Sequence, residues 1–517
     1  VGYGFYVFLL KNHNYQLSII KYQLKNYVFF LPLQHKMEIM KKIFIIILAC
    51  LFVTGGFAET KHVKIVAVND MHASIKNMPR FAAFVDSLRQ VDPQLIVLSA
   101  GDNRTGNPYN DKYSPTAMPM VMLMNKIGFT ASAVGNHEFD STIPGLRTLI
   151  NESQFPYLCA NIFVPDTFRT HITPYKIMCA NGVKIGIIGG IQLGALSIPD
   201  CHPDNLVGVN FKPFDEVLPR YKWMRDQCDV LLLLTHNGYE ADTVTAKHNP
   251  YVDVIVGGHS HTLMKSNDFY NGVLVTQAKN KLSYASIIDI DIEQGKVVKK
   301  TSQIVDLSTF SGVDAEVQQM VEQFCANPEL RVTLAHVASP FQTAEELGNM
   351  EMDALRAELN CDIAILNGGC VRYSTFPVGE FTKADLLELD PFGNLVVVYE
   401  LTGKEVEDMI MDCFDKDEKE PVYVSGITYE MVVQKAARSE DIHPLSIKIK
   451  SGGKQPFSKT AKYKVVTNNY LASILTAIPR SRGKVFNSIC TDYIENWLKK
   501  QQPLNYTGSK RAVYKWK

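Results

Sequence analysis

Five short apolar runs in the first half of the chain each end in a group of aspartate, histidine or asparagine side chains. Runs of about four to eight β-branched and aliphatic residues are typical of buried strands, and helical spacing appears between them. Such alternation predicts α/β layers, in which successive strand ends meet at one edge of a sheet. The five groups are Asp70-Met71-His72, Gly101-Asp102, Asn136-His137-Glu138, His236-Asn237 and His259-Ser260-His261.

The chemistry of these five groups favours a metal site. Carboxylates and neutral imidazoles suit borderline divalent ions, and a shared carboxylate can hold two such ions about 3.5–4 Å apart. An Asp-x-His or His-x-His motif alone is equally typical of a solvated turn. Five motifs at successive strand ends favour a two-metal centre over five unrelated turns, because strand ends give ligands a rigid placement.

Charge and length limit the classes of function. The 517 residues predict two or three domains. Lys plus Arg equals Asp plus Glu at 53 each, so no basic excess indicates binding of a nucleic-acid polymer. A free nucleotide remains compatible with this balance.

The N-terminal segment resembles a targeting sequence preceded by unrelated residues. Residues 1–36 begin without methionine and show no periodicity, so we interpret them as a non-native upstream segment. Residues 37–58 predict a secretory signal peptide, with two lysines, the apolar run Ile43 to Val53 and small residues up to a cleavage site after Ala58. The run is shorter than the roughly 20 residues of a spanning helix, so no stable transmembrane segment is expected. Lipidation at Cys50 is the alternative, and either route predicts an exported, periplasmic or cell-surface protein.

The rest of the chain divides into two predicted domains and a connector. Residues 59–310 contain the strand-end groups and form the predicted catalytic domain, and residues 311–335 form a predicted linker helix. Residues 336–517 restart the α/β pattern and form a second domain, with strands near Ile363 to Leu366, Val396 to Leu401 and Tyr463 to Val466. Nine cysteines follow the signal peptide without a CxxC pair. Their odd number and wide spacing favour scattered buried thiols over a disulfide framework.

In their order along the chain, the five groups resemble the signature of calcineurin-like metallophosphoesterases over roughly Lys61 to Ile304. The added Phe139-Asp140 and the form Gly-Asp-x-x-x-Gly-x-Pro at 101–108 are similar to the 5′-nucleotidase and UDP-sugar hydrolase branch. The second domain carries further motifs of that branch at 366–372, 379–382, 390–394 and 401–403. The resemblance implies an α/β protein: a four-layer metallophosphoesterase β-sandwich flanked by helices, plus a smaller α/β C-terminal 5′-nucleotidase-type domain.

The resemblance also implies roles for the strand-end residues. One metal would be held by Asp70, His72, Asp102 and His261, and the other by Asp102, Asn136, His236 and His259. Asp102 is then the bridge between two divalent ions, which are zinc, manganese, iron or cobalt. His137 would stabilise charge at the scissile phosphate or protonate the leaving oxygen, and Asp140 would orient it.

The prediction of substrate-binding residues depends on fewer motif matches than the prediction of metal ligands. Asn367, Gly369, Arg372 and Phe392 match the substrate loop and the base-stacking aromatic of related two-domain enzymes. Two departures stand beside them. No second stacking aromatic follows a Gly-Gly-Asp-Gly run, so one wall of a base clamp is expected to be missing near 467–473. Position 349 is Asn where some relatives have a substrate-binding Arg.

The sequence thus predicts an exported dinuclear-metal phosphoesterase that hydrolyses nucleoside phosphates, like a 5′-nucleotidase, by in-line attack of metal-bound hydroxide. Its partner is a small-molecule nucleotide or related phosphate ester. Two enzymatic alternatives remain, a 2′,3′-cyclic-nucleotide phosphodiesterase with 3′-nucleotidase activity and a UDP-sugar hydrolase. A third is a catalytically silent nucleotide- and metal-binding protein.

Overall fold

The computed structural model describes residues 37, 38, 40–42, 59–164, 172–194, 196–416, 419–436, 441–452, 455–501 and 503–517. The predicted upstream segment 1–36 lies outside the described residues, as do the apolar run and the cleavage site of the predicted signal peptide. The chain forms two compact units, 1–60 and 61–517, and the second contains every element given below. Among the described residues, no helix is long and apolar enough to cross a membrane.

The N-terminal half of the second unit is built on two sheets. Its strands are β1 (Lys61–Val68), β2 (Ile96–Ser99), β3 (Ala131–Ala133), β4 (Tyr157–Leu158), β5 (Ile162–Phe163), β6 (Ile172–Thr173), β7 (Tyr175–Ala180), β8 (Val183–Ile191), β9 (Asn210–Phe211), β10 (Val230–His236), β11 (Val254–Val256), β12 (Asp268–Tyr270), β13 (Val273–Thr276), β14 (Tyr284–Glu293) and β15 (Lys296–Asp306). One sheet has the order β15-β14-β1-β2-β3-β4-β6 and the other β12-β13-β11-β10-β8-β7. A separate short pair joins β5 and β9.

Helices cover the outer faces of these two sheets. They are α1 (Met78–Arg89), α2 (Pro108–Asp111), α3 (Met118–Ile127), α4 (Thr142–Glu152), α5 (Phe214–Val217), α6 (Tyr239–His248) and α7 (Ala315–Phe324). Strand β10 shows why the layers form: Leu232 and Leu234 pack between the sheets, while Leu231 and Leu233 face the helical layer. A strand buried on both faces must be apolar at every position, as β10 is until its last two residues. Helix, sheet, sheet and helix give the predicted four layers, which confirms the fold class.

Parallel pairing fixes which strand ends meet. β1, β2 and β3 run parallel in the first sheet, and β8, β10 and β11 run parallel in the second. Their carboxyl ends therefore lie at one edge of each sheet. The five polar groups follow these ends directly, so the fold gathers them as the sequence predicts.

The C-terminal half is a smaller α/β domain. Its strands are β16 (Thr333–Val337), β17 (Ile363–Leu366), β18 (Gly379–Thr382), β19 (Leu395–Thr402), β20 (Tyr423–Ser425), β21 (Ile427–Val433), β22 (Pro444–Ser451), β23 (Lys462–Asn468), β24 (Lys484–Ile489) and β25 (Ala512–Trp516). Its helices are α8 (Ala344–Glu358), α9 (Lys383–Leu389), α10 (Gly403–Lys416), α11 (Asn469–Ile474) and α12 (Cys490–Leu498). The five-stranded sheet β20-β17-β23-β19-β24 separates two apolar cores, with Ala364 and Leu366 on one face and Ile363 and Ile365 on the other.

The predicted linker region contains α7. Its side chains Val317, Val321 and Phe324 are buried in the core of the N-terminal half. Asp314 caps the helix, because its side chain accepts a hydrogen bond from the Val317 N–H at 2.7 Å. This helix is therefore packed against the first domain along its apolar face. The nine cysteines of the described ranges form no disulfide with one another, and seven of them are buried.

Candidate active site

The backbone at the strand ends has an unusual conformation. Non-glycine residues rarely adopt positive φ, and such strained residues cluster at functional sites. Main-chain hydrogen bonds hold the strained loops together, from Asp70 N to Gly101 O (3.0 Å) and from His72 N to Asp102 O (2.9 Å). Positive φ occurs at Asp70 (49°), His72 (43°), Asp102 (52°), His259 (79°) and His261 (51°), which are five of the seven predicted metal ligands.

The first predicted metal pocket joins Asp70, His72 and His261. The Nε2 atoms of His72 and His261 lie 2.9 Å apart, and His261 Nε2 lies 3.5 Å from Asp70 Oδ1. His72 Nδ1 faces the Thr105 carbonyl oxygen at 3.0 Å, where it donates its proton. Nε2 of His72 is then a lone-pair donor directed at Asp70 and His261, which is the tautomer that a metal ligand needs.

The second predicted pocket joins Asn136, His236, His259 and Asp102. Asn136 Oδ1 lies 3.1 Å from His236 Nε2 and 3.1 Å from His259 Nδ1. His236 Nδ1 faces the Ala100 carbonyl oxygen at 2.7 Å, which directs Nε2 inward to within 3.1 Å of Asp102 Oδ2. Asp102 also lies close enough to His72, and to Asp70, for their ligand atoms to share one ion, so its position allows the predicted bridging role.

The charges of the site suit a cation. Burial acts to raise the pKa of Asp102, but the neighbouring His236 and His137 outweigh burial and hold that pKa well below its ordinary value. Burial opposes charge on His236, but Asp102 and Asp70 outweigh it and raise its pKa to about 10. Burial and the nearby Arg372 hold the pKa of His72 well below its usual range, which keeps it neutral. Two buried carboxylates among imidazoles with inward nitrogens fit divalent ions with nitrogen and oxygen ligands.

His137 and Asp140 form a dyad beside the metal residues. His137 begins a short 3₁₀ turn after Asn136, and its Nδ1 lies 2.9 Å from Asp140 Oδ2. The main-chain N–H of His137 donates to Asp102 Oδ1 at 2.9 Å, while its Nε2 lies 3.9 Å from Asp102 Oδ2. Burial acts to lower the pKa of His137, but Asp102 and Asp140 outweigh it and raise the pKa. The two carboxylates therefore favour the charged form of the His137 imidazole.

Glu138 has a structural role that the sequence reasoning did not assign. Its buried carboxylate accepts hydrogen bonds from three main-chain N–H groups, those of Asp102 (2.9 Å), Asn103 (2.8 Å) and Gly135 (2.6 Å). These contacts tie the loop after β2 to the loop after β3. Glu138 thereby fixes Asp102 relative to the dyad.

The predicted substrate residues reach this edge from the C-terminal domain. Arg372 Nη2 lies 2.9 Å from His72 Nε2. The Phe392 ring stacks on the His137 ring, with centroids 5.6 Å apart and planes 27° apart, and the Arg372 guanidinium lies 5.8 Å from the Phe392 centroid. Asn367 and Gly369 line the same cavity, whose volume is about 240 Å³.

All thirteen predicted site residues are therefore gathered in one region. Ten of them line the cavity. The other three, Asp70, His72 and His236, lie directly behind it, and each contacts at least one of the ten. No predicted site residue lies elsewhere.

The structure adds residues that the sequence reasoning missed. Tyr470, at the start of α11, lines the cavity together with Phe392, so the stretch 467–473 brings an aromatic side chain to the predicted substrate region. Asp200 also lines the cavity; its carbonyl oxygen accepts a hydrogen bond from Asn136 Nδ2 at 3.0 Å. Asn349 lies elsewhere, buried in α8, where its Nδ2 donates to the Ser509 carbonyl oxygen at 3.0 Å.

Family models match both halves of the chain. Residues 63–263 match the calcineurin-like phosphoesterase family, and residues 332–477 match the 5′-nucleotidase C-terminal domain. The chain belongs to the two-domain 5′-nucleotidase family. It is accordingly a metal-dependent phosphoric ester hydrolase, as predicted.

Individual relatives agree with this assignment. The chain is 26% identical over 472 residues to the trifunctional nucleotide phosphoesterase YfkN of Bacillus subtilis, a match that covers 79% of this chain and 32% of that longer protein. It is 27% identical over 423 residues to a 5′-nucleotidase of Vibrio cholerae, covering 68% of this chain and 75% of that protein. The crystal structure of a 5′-nucleotidase precursor from Thermus thermophilus shares the fold, with a TM-score of 0.75, 22% identity and coverage of 88% and 99% of the two chains.

Proposed function

We propose that this protein hydrolyses nucleoside 5′-monophosphates with two divalent ions. One observation carries the proposal. Four of the seven strand-end ligands, the His137–Asp140 dyad and the aromatic and guanidinium groups of the second domain line one cavity, and the other three ligands lie directly behind it. A cavity that brings groups suited to phosphate together with aromatic rings suits a phosphate ester attached to a base.

The metal residues hold the ions in two overlapping sets. Asp70, His72 and His261 would form one set, and Asn136, His236 and His259 the other, with Asp102 common to both. When bound, such ions supply an activated water nucleophile and neutralise charge on phosphoryl oxygens. The strained loops support this role because they fix the ligand atoms before any ion arrives.

His137 handles the leaving group. Its Nδ1 is engaged by Asp140, so its Nε2 is the nitrogen that can donate a proton to the departing nucleoside oxygen. Asp102 and Asp140 outweigh burial and raise the pKa of His137, which favours the protonated ring that a proton donor needs. Asp140 acts by orienting the ring and favouring its charged form.

The C-terminal domain binds the rest of the substrate. Arg372 brings a permanent positive charge to the metal edge, where it can pair with a phosphoryl oxygen. Phe392 and Tyr470 supply the apolar, aromatic part of the cavity, where a base can stack. A nucleotide bound this way has its phosphate at His137 and its base between the two domains.

We also propose that the protein is exported. The support is the sequence of residues 37–58, with its lysine pair, apolar run and small residues before the cleavage site. Expression in a bacterial host with an intact secretion system should yield a processed chain that begins at Glu59. N-terminal sequencing of the secreted fraction checks this, and a chain that retains residues 37–58 in the cytosol would contradict it.

A substrate panel tests the activity. The purified protein, stripped by a chelator and reloaded with manganese, zinc or cobalt, is assayed on AMP, 2′,3′-cyclic AMP, UDP-glucose and p-nitrophenyl phosphate, and its metal content is measured. We expect two ions per chain, no turnover without metal and the highest kcat/KM on AMP. A preference for cyclic AMP or UDP-glucose would reassign the substrate class. Nucleotide binding without phosphate release on any metal would indicate a silent binding protein.

A further inference from the structure

Three separate segments of the C-terminal domain form the wall of the cavity that faces the predicted metal residues, and this wall touches them where Arg372 meets His72 and Phe392 stacks on His137. They are the loop 367–372, the turn 390–394 and the start of α11 at 468–470, which bring Arg372, Phe392 and Tyr470 to the cavity. Their backbones are far apart in sequence. Contacts within the folded domain must therefore fix the distances between the three segments.

A buried polar group of four side chains lies where the three segments meet. We call Asn367, Cys370, Asn394 and Asn468 the amide–thiol cluster. Their residues are 2%, 2%, 8% and 1% exposed, so the cluster is nearly buried, and Asn367, Cys370 and Asn394 lie at the inner surface of the cavity. Buried polar groups persist in folded proteins where they satisfy one another, and these four do so.

The cysteine sulfur is the centre of this cluster. The Cys370 thiol donates to Asn367 Oδ1 at 3.0 Å. Asn468 Nδ2 donates to the same sulfur at 3.3 Å and to Asn367 Oδ1 at 3.4 Å, and Asn394 Nδ2 donates to the sulfur at 3.9 Å. One atom thus contacts a residue from each of the other two segments.

The two asparagines that contact the sulfur from the other segments, Asn468 and Asn394, also hold the parts of the backbone that carry the cavity wall. Asn468 caps α11, because its Oδ1 accepts from the Leu471 N–H at 2.6 Å, and this cap sets the start of the helix that bears Tyr470. Asn394 follows Phe392 by two residues, and its carbonyl oxygen accepts from the Cys490 N–H at 2.8 Å. The cluster therefore determines the distance between the two aromatic residues.

Arg372 is held by contacts outside this cluster. Its N–H donates to the Leu389 carbonyl oxygen at 2.9 Å, and its own carbonyl oxygen accepts from Lys281 Nζ at 3.2 Å. Loosening the cluster should for this reason move the aromatic side of the cavity more than the guanidinium side. Binding of the nucleoside half of a substrate can therefore be measured separately from binding of its phosphate half.

We propose that the amide–thiol cluster is a positioning element that keeps Phe392 and Tyr470 at the spacing needed to hold the nucleoside half of the substrate. This inference rests on the proposed nucleotidase function. Cys370 is its central positioning residue, since its sulfur both donates and accepts within the cluster and links all three segments.

The test compares the two halves of the substrate as separate inhibitors. Hydrolysis of p-nitrophenyl phosphate serves as the reporter, with adenosine and inorganic phosphate as competitors and AMP as the full substrate. In Cys370→Ala we expect KM for AMP and Ki for adenosine to rise together by about 5- to 20-fold, the range of one weakened base–aromatic contact. Ki for phosphate and kcat on p-nitrophenyl phosphate should stay within about twofold.

Two further variants separate positioning from loss of stability. Cys370→Ser restores a group that donates and accepts, so it should recover part of the adenosine affinity. Cys413→Ala removes a fully buried thiol of the same domain that lies in an apolar core, and should leave all four constants unchanged. If Cys370→Ala does not fold, Asn394→Ala takes its place and should show the same division between adenosine and phosphate.

Two results would overturn the inference in different ways. Unchanged adenosine inhibition in folded Cys370→Ala, or equal losses for adenosine and phosphate, would remove the positioning role and leave the proposed function intact. Absence of adenosine inhibition in the wild-type protein would instead remove the nucleotide assignment, and with it the inference.

Discussion

The two walls of the cavity are built in contrasting ways. We call the side that bears the seven proposed metal ligands the metal wall. These side chains lie at the ends of parallel strands or just after them, and five of them are on backbone with positive φ. The opposite wall consists of a loop, a turn and a helix start from the second domain, joined by neutral amides and a thiol. Charged ligands are fixed by the main chain in the first wall, while aromatic residues are fixed by side-chain contacts in the second.

This contrast separates chemistry from substrate choice. Ligands of divalent ions must be placed within about half an ångström, and strand ends provide that rigidity. A stacking surface tolerates larger shifts, because every base has a π face and stacking does not depend on one geometry. Substitutions in the second wall should therefore change which ester is preferred, and substitutions in the first should remove turnover on all esters.

The largest expected effect is at the bridge of the metal wall. Asp102→Asn removes the anionic ligand shared by both pockets, so metal content should fall for both ions and kcat/KM should drop by at least about 10³-fold on every substrate. Metal analysis and steady-state rates on AMP and p-nitrophenyl phosphate check this. Asp92→Asn, a buried carboxylate of the same domain that does not line the cavity, is the control. Normal metal content with a normal rate would show that Asp102 is not a ligand.

The next effect distinguishes chemistry from metal binding within the same wall. His137→Ala should retain both ions but lose about 10²–10⁴-fold in kcat, because the lost group acts on charge that develops in the transition state. Asp140→Asn should give a smaller or equal loss of the same kind. The double variant should be no slower than His137→Ala, since Asp140 acts through the ring. Additive losses would mean independent roles, and loss of an ion in His137→Ala would make that residue a ligand.

The metal wall was predictable because its signals are local. The apolar run 254–256 coincides with β11, and the largely apolar runs 63–68 and 230–234 lie within β1 and β10. Each ligand follows its strand within a few residues. Strand order and parallel pairing then bring these ligands to one edge of each sheet. The order of the motifs in the sequence therefore already predicts how the ligands are arranged.

The opposite wall was predictable only in part. Phe392 and Arg372 sit in recognisable motifs, but the place of Tyr470 depends on the cap by Asn468 and on packing against segments far away in the chain. Asp200 is brought to Asn136 across 64 residues by a loop with no strand signal. The role of Glu138 is to accept three main-chain N–H groups, which no side-chain pattern reveals. The sequence predicts a linker helix at 311–335, but the packing of Val317, Val321 and Phe324 in the core of the first domain was not predicted.

A third, more selective effect is expected in the aromatic wall. Phe392→Ala and Tyr470→Ala should each raise KM for AMP by about 5- to 150-fold, which corresponds to about 1–3 kcal/mol of stacking. Their kcat/KM on glycerol 3-phosphate should change by less than about threefold, because that ester has no ring to stack. Equal losses on both substrates would mean that the two rings support the metal wall rather than the nucleoside. Phe392→Tyr keeps a ring and is the matched control.

The smallest effect is expected at contacts between the two domains near the protein surface. Asp204 and Arg480 pair at 3.1 Å with side chains 65% and 44% exposed, and such exposed pairs contribute little because water screens them. Arg480→Ala should therefore change KM for AMP by less than about twofold. The adjacent contact is more buried: Asn469 Nδ2 lies 2.9 Å from His202 Nε2, and Asn469 Oδ1 also accepts from the Leu395 N–H at 2.7 Å. Asn469→Ala should consequently raise KM several-fold more than Arg480→Ala while leaving metal content unchanged. The opposite order, measured in the same AMP assay at low and high salt, would mean that the charged pair sets the gap between the walls and that their separation is electrostatic.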